Sequence, residues 1–197
     1  MEIGFYFDQT RCTGCYTCMV ACKDWHDIEA GPVKWIKVDA IEKGKYPELY
    51  LGYMFTACFH CAEPLCVKAC PVDAITKRQE DGIVTVDREI CIGGEKCKFA
   101  CRKACPYDVP QFGVEVNPKM QKCDLCLERW AENNKPICVE ACPMRALDVG
   151  PLDELKAKYG DIRETVGFAY SERTRPSIVF RPKPPGPSLT SSSEEVA

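Results

Sequence analysis

All sixteen cysteines of this 197-residue chain fall into four groups of four, and no thiol is left over. Group one, Cys12, Cys15, Cys18 and Cys22, is spaced C-x2-C-x2-C-x3-C. Group two, Cys58, Cys61, Cys66 and Cys70, reads C-x2-C-x4-C-x3-C. Group three, Cys91, Cys97, Cys101 and Cys105, reads C-x5-C-x3-C-x3-C, and group four, Cys123, Cys126, Cys138 and Cys142, reads C-x2-C-x11-C-x3-C. Pro71, Pro106 and Pro143 directly follow the last cysteine of groups two, three and four. What these quartets hold constrains the fold more than any hydrophobic pattern does.

Three chemistries compete. Eight disulfides suit a secreted mini-scaffold, but the thiols are closely spaced in every group. The N-terminus also has an acid, Glu2, where a signal peptide needs bases, with no apolar stretch behind it. Four structural zincs would use closed four-thiolate sites, normally built from two separated C-x2-C pairs, and only group four approximates that shape. The third chemistry is the [4Fe–4S] cluster, whose bacterial signature is C-x2-C-x2-C-x3-C-P. There a tight turn offers three thiolates to one cubane, and the fourth cysteine reaches the other cluster of a pair. A proline after the last cysteine has a fixed φ and no N–H, and so turns the chain away from the cluster. Iron–sulfur is the reading taken. A zinc-stabilised interaction scaffold is the rival from another class, and iron and acid-labile sulfide analysis separates the two.

Four quartets then mean four [4Fe–4S] clusters in two units. Groups two and three make one unit: a short helix-or-strand piece over Pro71–Lys77 and the alternating run Ile83–Asp87 flank Asp81-Gly82, a hairpin signal. By the swap of fourth ligands, Cys58, Cys61 and Cys66 join Cys105 (cluster 3), and Cys91, Cys97 and Cys101 join Cys70 (cluster 4). Elimination leaves Cys12, Cys15 and Cys18 with Cys142 (cluster 1), and Cys123, Cys126 and Cys138 with Cys22 (cluster 2). One unit is then wrapped around an insertion containing the other. The expected fold is α+β: two interleaved bacterial ferredoxin-like 2[4Fe–4S] units, an inserted β segment and an extended C-terminal tail. Residues 1–57 with 106–160 form the outer unit, and 58–105 the inner unit. Residues 161–187 form an extended partner-binding tail, and 188–197 a disordered end.

Crosslinking through metal answers a thin core. The apolar share of 46% counts cysteine, and without the thiols it is about 38%, below the usual range for a globular domain. A net charge of −3, from 26 basic and 29 acidic residues, carries no basic footprint, so no nucleic-acid partner is expected. The longest uncharged stretch, Leu49–Ala62, is 14 residues long, against about 20 apolar residues for a bilayer span, so no direct membrane insertion is expected. By its own sequence the chain is cytoplasmic, with co-export or membrane attachment through a partner subunit left open.

The residues around the quartets carry a resemblance. Cys12-Thr-Gly-Cys-Tyr-Thr-Cys-Met-Val-Ala-Cys-Lys-Asp, Cys105-Pro-Tyr-Asp-Val-Pro-Gln-Phe, Lys122-Cys-Asp-Leu-Cys and Lys135-Pro-Ile-Cys-Val-Glu-Ala-Cys-Pro-Met-Arg-Ala-Leu resemble the four-cluster iron–sulfur subunit of dimethyl sulfoxide reductase-type complexes. The likeness runs from about Phe5 to Pro182. It implies the same cross-pairing of groups one with four and two with three. It also implies a non-catalytic electron wire serving a large catalytic subunit with a molybdenum or tungsten bis-pterin cofactor. A membrane quinone-reactive subunit or another electron carrier is the implied second partner. A standalone polyferredoxin is the alternative. Group three departs from the family, which usually has C-x2-C-x2-C-x3-C-P or a non-cysteine at one ligand. Here Gly93-Gly94-Glu95-Lys96 widen the first gap and one residue widens the second. Lys96, Lys98, Arg102 and Lys103 crowd this loop, as cations that raise the potential of the nearby cluster or as a plain basic surface.

Elsewhere, Val33–Ile41 and Leu49–Thr56 read as strands joined by Gly44–Pro47, with Trp35, Tyr50 and Tyr53 taken as packing residues. Pro151–Gly160 reads as a short helix, with acids early, bases late and glycine at the end. Ser177–Phe180 reads as a lone extended strand. His60, between Cys58 and Cys61, is placed to tune or hydrogen-bond a cluster and is taken as a satisfied near-cluster side chain, not a ligand. Asp24, Trp25 and His26 match nothing catalytic, and no dinucleotide, phosphate-loop, zinc-protease or nucleophile-elbow motif is present.

Overall fold

The computed structural model describes residues 1–184. It opens with β1 (Ile3–Asp8), Ile-Gly-Phe-Tyr-Phe-Asp, in which every residue is buried. Such a run lacks the polar–apolar alternation of a half-exposed strand because both its faces are covered. Helix α1 (Thr17–Trp25) carries the end of group one. β2 (Lys37–Lys45) and β3 (Glu48–Thr56) then form the expected hairpin, registered from Lys37 opposite Thr56 to Lys45 opposite Glu48.

The inner segment repeats a helix–hairpin–helix plan on a smaller scale. α2 (Leu65–Lys68) precedes the hairpin of β4 (Ile75–Lys77) and β5 (Val84–Val86), which turns through Asp81-Gly82 as expected. α3 (Gly94–Cys97) and α4 (Ala100–Ala104) follow, and α4 packs against α2. The chain then returns to the outer part through α5 (Leu127–Ala131), α6 (Ile137–Glu140), β6 (Leu147–Pro151) and α7 (Leu152–Tyr159). α6 packs against α1. α7 has the sequence-read anatomy, with Asp153 and Glu154 in the first turn, Lys156 and Lys158 in the last, and Gly160 as its C-cap.

One sheet closes the molecule. β1 lies between β6, antiparallel with Phe7 opposite Leu147, and β7 (Ile178–Arg181), parallel with Phe7 opposite Phe180. The strand expected to stand alone at Ser177–Phe180 is therefore paired, and residues 161–184 are not merely extended. Phe168, Thr174 and Ser177 to Phe180 are buried. Buried Gln9 ties this segment down: its Nε2 donates to the carbonyls of Tyr53 (3.2 Å) and Val166 (2.9 Å). Its Oε1 accepts from Tyr50, Thr165 and the Lys183 amide. Lone extended chain was the wrong reading because a strand's partner is invisible locally when it lies at the opposite end of the sequence. The disordered end at 188–197, and 185–187 of the tail, lie outside the described residues.

The core between these layers is aromatic. Phe59, 1% exposed, meets Phe5, Tyr107 and Phe168 edge-on at centroid distances of 6.5, 5.4 and 5.3 Å. Phe168 stacks on Tyr107 and leans on Phe180. One side chain thus joins β1, the group-two loop and the C-terminal segment. Truncating it removes contacts that a rigid aromatic cluster cannot rebuild, so Phe59→Ala is expected to cost about 3–5 kcal/mol. At roughly 2–4 °C per kcal/mol for a chain of this size, thermal unfolding of the cluster-loaded protein reads this directly. A fall of less than about 2 °C contradicts it.

Candidate metal centres

Thiols from different groups meet in the structure. Cys12, Cys15 and Cys18 share a cavity with Cys142, walled by Phe7 and Leu147. Strand pairing explains the meeting: β1 leads into group one, β6 leads out of group four, and the two are hydrogen-bonded neighbours. Cys91, Cys97 and Cys101 share a second cavity with Cys70, walled by Ile75 and Met120. Cys61 lies within electrostatic reach of Cys58, Cys66 and Cys105. Cys22 lies beside Cys126, and Cys123 and Cys138 both lie beside Cys22.

The widened group three reaches its cavity through unusual backbone. Lys98 and Phe99 are consecutive left-handed residues, each at φ 54°, and they break α3 from α4 so that Cys97 and Cys101 face the same side. Asn117 bolts the added loop down: its Nδ2 donates to Ile92 O at 2.8 Å and its Oδ1 accepts from Lys96 N at 3.3 Å. Gly93, at φ 91°, leaves the space that the Asn117 side chain fills. Of the cations expected to crowd this loop, Arg102 is neutralised by a two-pronged contact with Asp108 at 2.6 and 3.1 Å, and Lys37 joins the same carboxylate. Arg102 accordingly holds the Asp108 carboxyl below its ordinary range.

Many of the thiols are held in surroundings hostile to a bare thiolate, whereas hydrogen bonds from Thr17 hold exposed Cys15 below the ordinary thiol value. Burial, reinforced by neighbouring sulfurs, pushes Cys18, Cys22, Cys61 and Cys66 up to about 12. Burial pushes Cys101 and Cys126 up to about 11, and drives Cys123 and Cys138 well above the ordinary thiol value. Only a strongly cationic centre stabilises four such thiolates side by side. Local donors soften the sites: Leu125 N–H points at Cys123 Sγ (3.4 Å), Ala146 N–H at Cys142 Sγ (3.3 Å) and Thr17 Oγ1 at Cys15 Sγ (3.4 Å). Gly14, at φ 67°, lets the Tyr53 ring lie over the first turn, where a Cβ would collide with it. Four soft donors around an apolar cavity, on tight turns, fit a [4Fe–4S] cluster.

Two features escaped the sequence reading. Trp25 and His26, which match no motif, brace group four: Trp25 Nε1 donates to Glu128 at 2.6 Å, and His26 Nε2 lies 3.2 Å from Cys126 Sγ. Their place just after Cys22 on α1 was the available signal. Lys122, only 2% exposed, donates to the carbonyls of Val84 and Cys123. Trp35, Tyr50 and Tyr53 do pack as expected, with Trp35 against His26 and hydrogen-bonded to Gln121.

Ferredoxin-like turns, short helix–hairpin units and converging thiols define an iron–sulfur protein of the bacterial ferredoxin type. Residues 49–152 and 11–75 match family models of the 4Fe-4S dicluster domain. Over 189 residues the sequence is 43% identical to one of the chains of the anaerobic dimethyl sulfoxide reductase of Escherichia coli (strain K12), covering 92% of this protein and 89% of that one. It is 42% identical, with the same coverage, to the chain of the same name from Haemophilus influenzae. To one of the subunits of the sulfite dehydrogenase of Allochromatium vinosum it is 31% identical, covering 92% of this protein and 83% of that one. The chain belongs to the family of 4Fe-4S dicluster iron–sulfur subunits of the dimethyl sulfoxide reductase type, non-catalytic proteins that transfer electrons. Two dicluster domains correspond to four clusters, which sixteen cysteines fit. The zinc and disulfide alternatives fall with that membership. Among the described residues, no helix is long and apolar enough to cross a membrane.

Proposed function

We propose that this chain relays electrons through four [4Fe–4S] clusters between a molybdenum- or tungsten-bis-pterin catalytic subunit and a further redox partner, either a membrane quinone-reactive subunit or another carrier. The ligand sets are Cys12, Cys15, Cys18 and Cys142; Cys123, Cys126, Cys138 and Cys22; Cys58, Cys61, Cys66 and Cys105; and Cys91, Cys97, Cys101 and Cys70. The outer unit, residues 1–57 with 106–160, is thereby interleaved with the inner unit, 58–105. The observation that carries this reading is the presence of Cys142 in the cavity of Cys12, Cys15 and Cys18. When bound, each cluster supplies a one-electron couple whose potential follows its hydrogen bonds, nearby charge and exposure.

The chain's own residues supply order and insulation. α1 carries Cys18 and Cys22 one turn apart, about 6 Å along the helix, which sets the first site beside the second. Cys123 lies within electrostatic reach of Cys58, setting the second beside the third. Cys66 and Cys70, at the two ends of one short turn of helix, set the third beside the fourth. Phe7, Phe55, Ile75 and Met120 line the cavities and keep water off the sulfurs. The relatives' own names, as component chains of a reductase and a dehydrogenase, favour a dedicated partner over a free polyferredoxin.

Affinity purification of the tagged protein from its native cells is expected to bring down a large pterin-containing subunit, with about sixteen iron and sixteen sulfide per copy of this chain, as four cubanes require. A monomer that cycles reversibly with full iron and no large subunit overturns the proposal in favour of a free carrier.

A further inference from the structure

His60 is fully buried, at 0% exposure. Its Nδ1 accepts the Val84 N–H at 2.9 Å, so Nδ1 carries no proton and Nε2 must. Val84 is itself pinned, because its carbonyl accepts from the ammonium of buried Lys122. The backbone of His60 is fixed as well: it is left-handed at φ 44°, and its carbonyl accepts from Ser177 Oγ at 3.2 Å. A rigid, neutral ring therefore points a single N–H in one direction.

Among the described residues that N–H has no acceptor. His60 Nε2 is the one buried side-chain nitrogen or oxygen, among the described residues, without a hydrogen-bond partner. Leaving such a donor unpaired is costly, and native interiors rarely tolerate it. In the sequence His60 sits between Cys58 and Cys61, so the sulfurs of their site are the acceptors nearest along the chain.

We propose that His60 Nε2–H donates a hydrogen bond to a sulfur of the cluster held by Cys58, Cys61, Cys66 and Cys105, and so raises the potential of that cluster. The proposal rests on the ligand set assigned above. The sulfurs become more electron-rich on reduction, so the bond strengthens in the reduced state and favours it. His60 is thus a tuning residue rather than a ligand, and its expected satisfaction comes from the cofactor rather than from protein.

The test uses the full cluster-loaded protein, grown on ¹⁵N-histidine and carrying His26→Gln, so that His60 is the only labelled histidine. Pulsed electron paramagnetic resonance of the reduced protein is expected to show a weak ¹⁵N coupling on one cluster, the same one lost in Cys105→Ser. In His60→Leu, the reduced-to-oxidised ratio of that cluster at its wild-type midpoint is expected to fall about tenfold, a shift of about 59 mV for one electron. His60→Gln, which keeps an N–H, is expected to recover part of the shift. Absence of coupling to any cluster overturns the proposal, even if His60→Leu fails to fold, and so does a coupling of ligand strength. An unshifted midpoint in a folded His60→Leu also overturns it. A weak coupling on a cluster that Cys105→Ser leaves intact upholds the hydrogen bond and overturns the ligand set.

Discussion

Stripping the iron from this protein is expected to abolish its cooperative thermal transition. Among the described residues, five of the seven helices, α2 through α6, are only four or five residues long, far below the length at which a helix holds itself together in water. Each of α2, α3, α4 and α6 carries a cysteine, and α5 follows one directly. Cys22, Cys58, Cys123, Cys138 and Cys142 belong to the same buried cluster as Phe5, Phe55 and Phe59, so the sulfurs are core atoms as well as ligands. Without iron, Cys18, Cys22, Cys61 and Cys66 stay protonated, because burial has pushed them up to about 12. Cavities shaped for a cluster are then left to apolar walls with nothing to fill them. Binding free energy is folding free energy in such a protein. Chelation under reducing conditions, which prevents disulfides, should melt these short helices and erase the sharp transition in both far- and near-ultraviolet circular dichroism. Ferrous iron and sulfide should restore it. An iron-free protein that still melts sharply within a few degrees of the loaded one would refute this.

The second large effect concerns wiring. Cys142→Ser is expected to remove or shift the cluster bound by Cys12, Cys15 and Cys18 and to spare the one bound by Cys123, Cys126 and Cys138. Its iron and sulfide should fall by about a quarter if the cluster is lost, since one cubane of four disappears. The lost resonance should match that of Cys12→Ser and differ from that of Cys138→Ser. The reason is geometric: β6 delivers Cys142 to the end of β1, whereas Cys138, one turn earlier on α6, faces Cys22 and Cys126. Matching of Cys142→Ser to Cys138→Ser would show that group four holds its own cluster, and the interleaving would fail with it.

Local and distant information divide cleanly among particular residues. Asp81-Gly82 announced the β4–β5 hairpin, and the composition of Pro151–Gly160 announced α7, because turns and caps are written in neighbouring side chains. The strand Ser177–Phe180 was recognisable as a strand but not as the partner of β1, since pairing across the sequence leaves no mark within either run. The group-three loop looked merely irregular. Its order depends on Asn117, on two left-handed residues and on Gly93 yielding space, none of which is a cysteine pattern.

Sequence alone determined the donor atoms, their grouping on tight turns and hence the [4Fe–4S] chemistry, because a turn of a few residues limits which three thiols can meet. Only the tertiary structure brings Cys142 into the cavity of Cys12, Cys15 and Cys18, brings Cys70 into that of Cys91, Cys97 and Cys101, and leaves His60 Nε2 without a protein partner among the described residues. Those outcomes depend on β1 reaching β6 and on Val84 lying against His60 and Lys122, contacts between segments whose separation in the sequence carries no information about their distance in space.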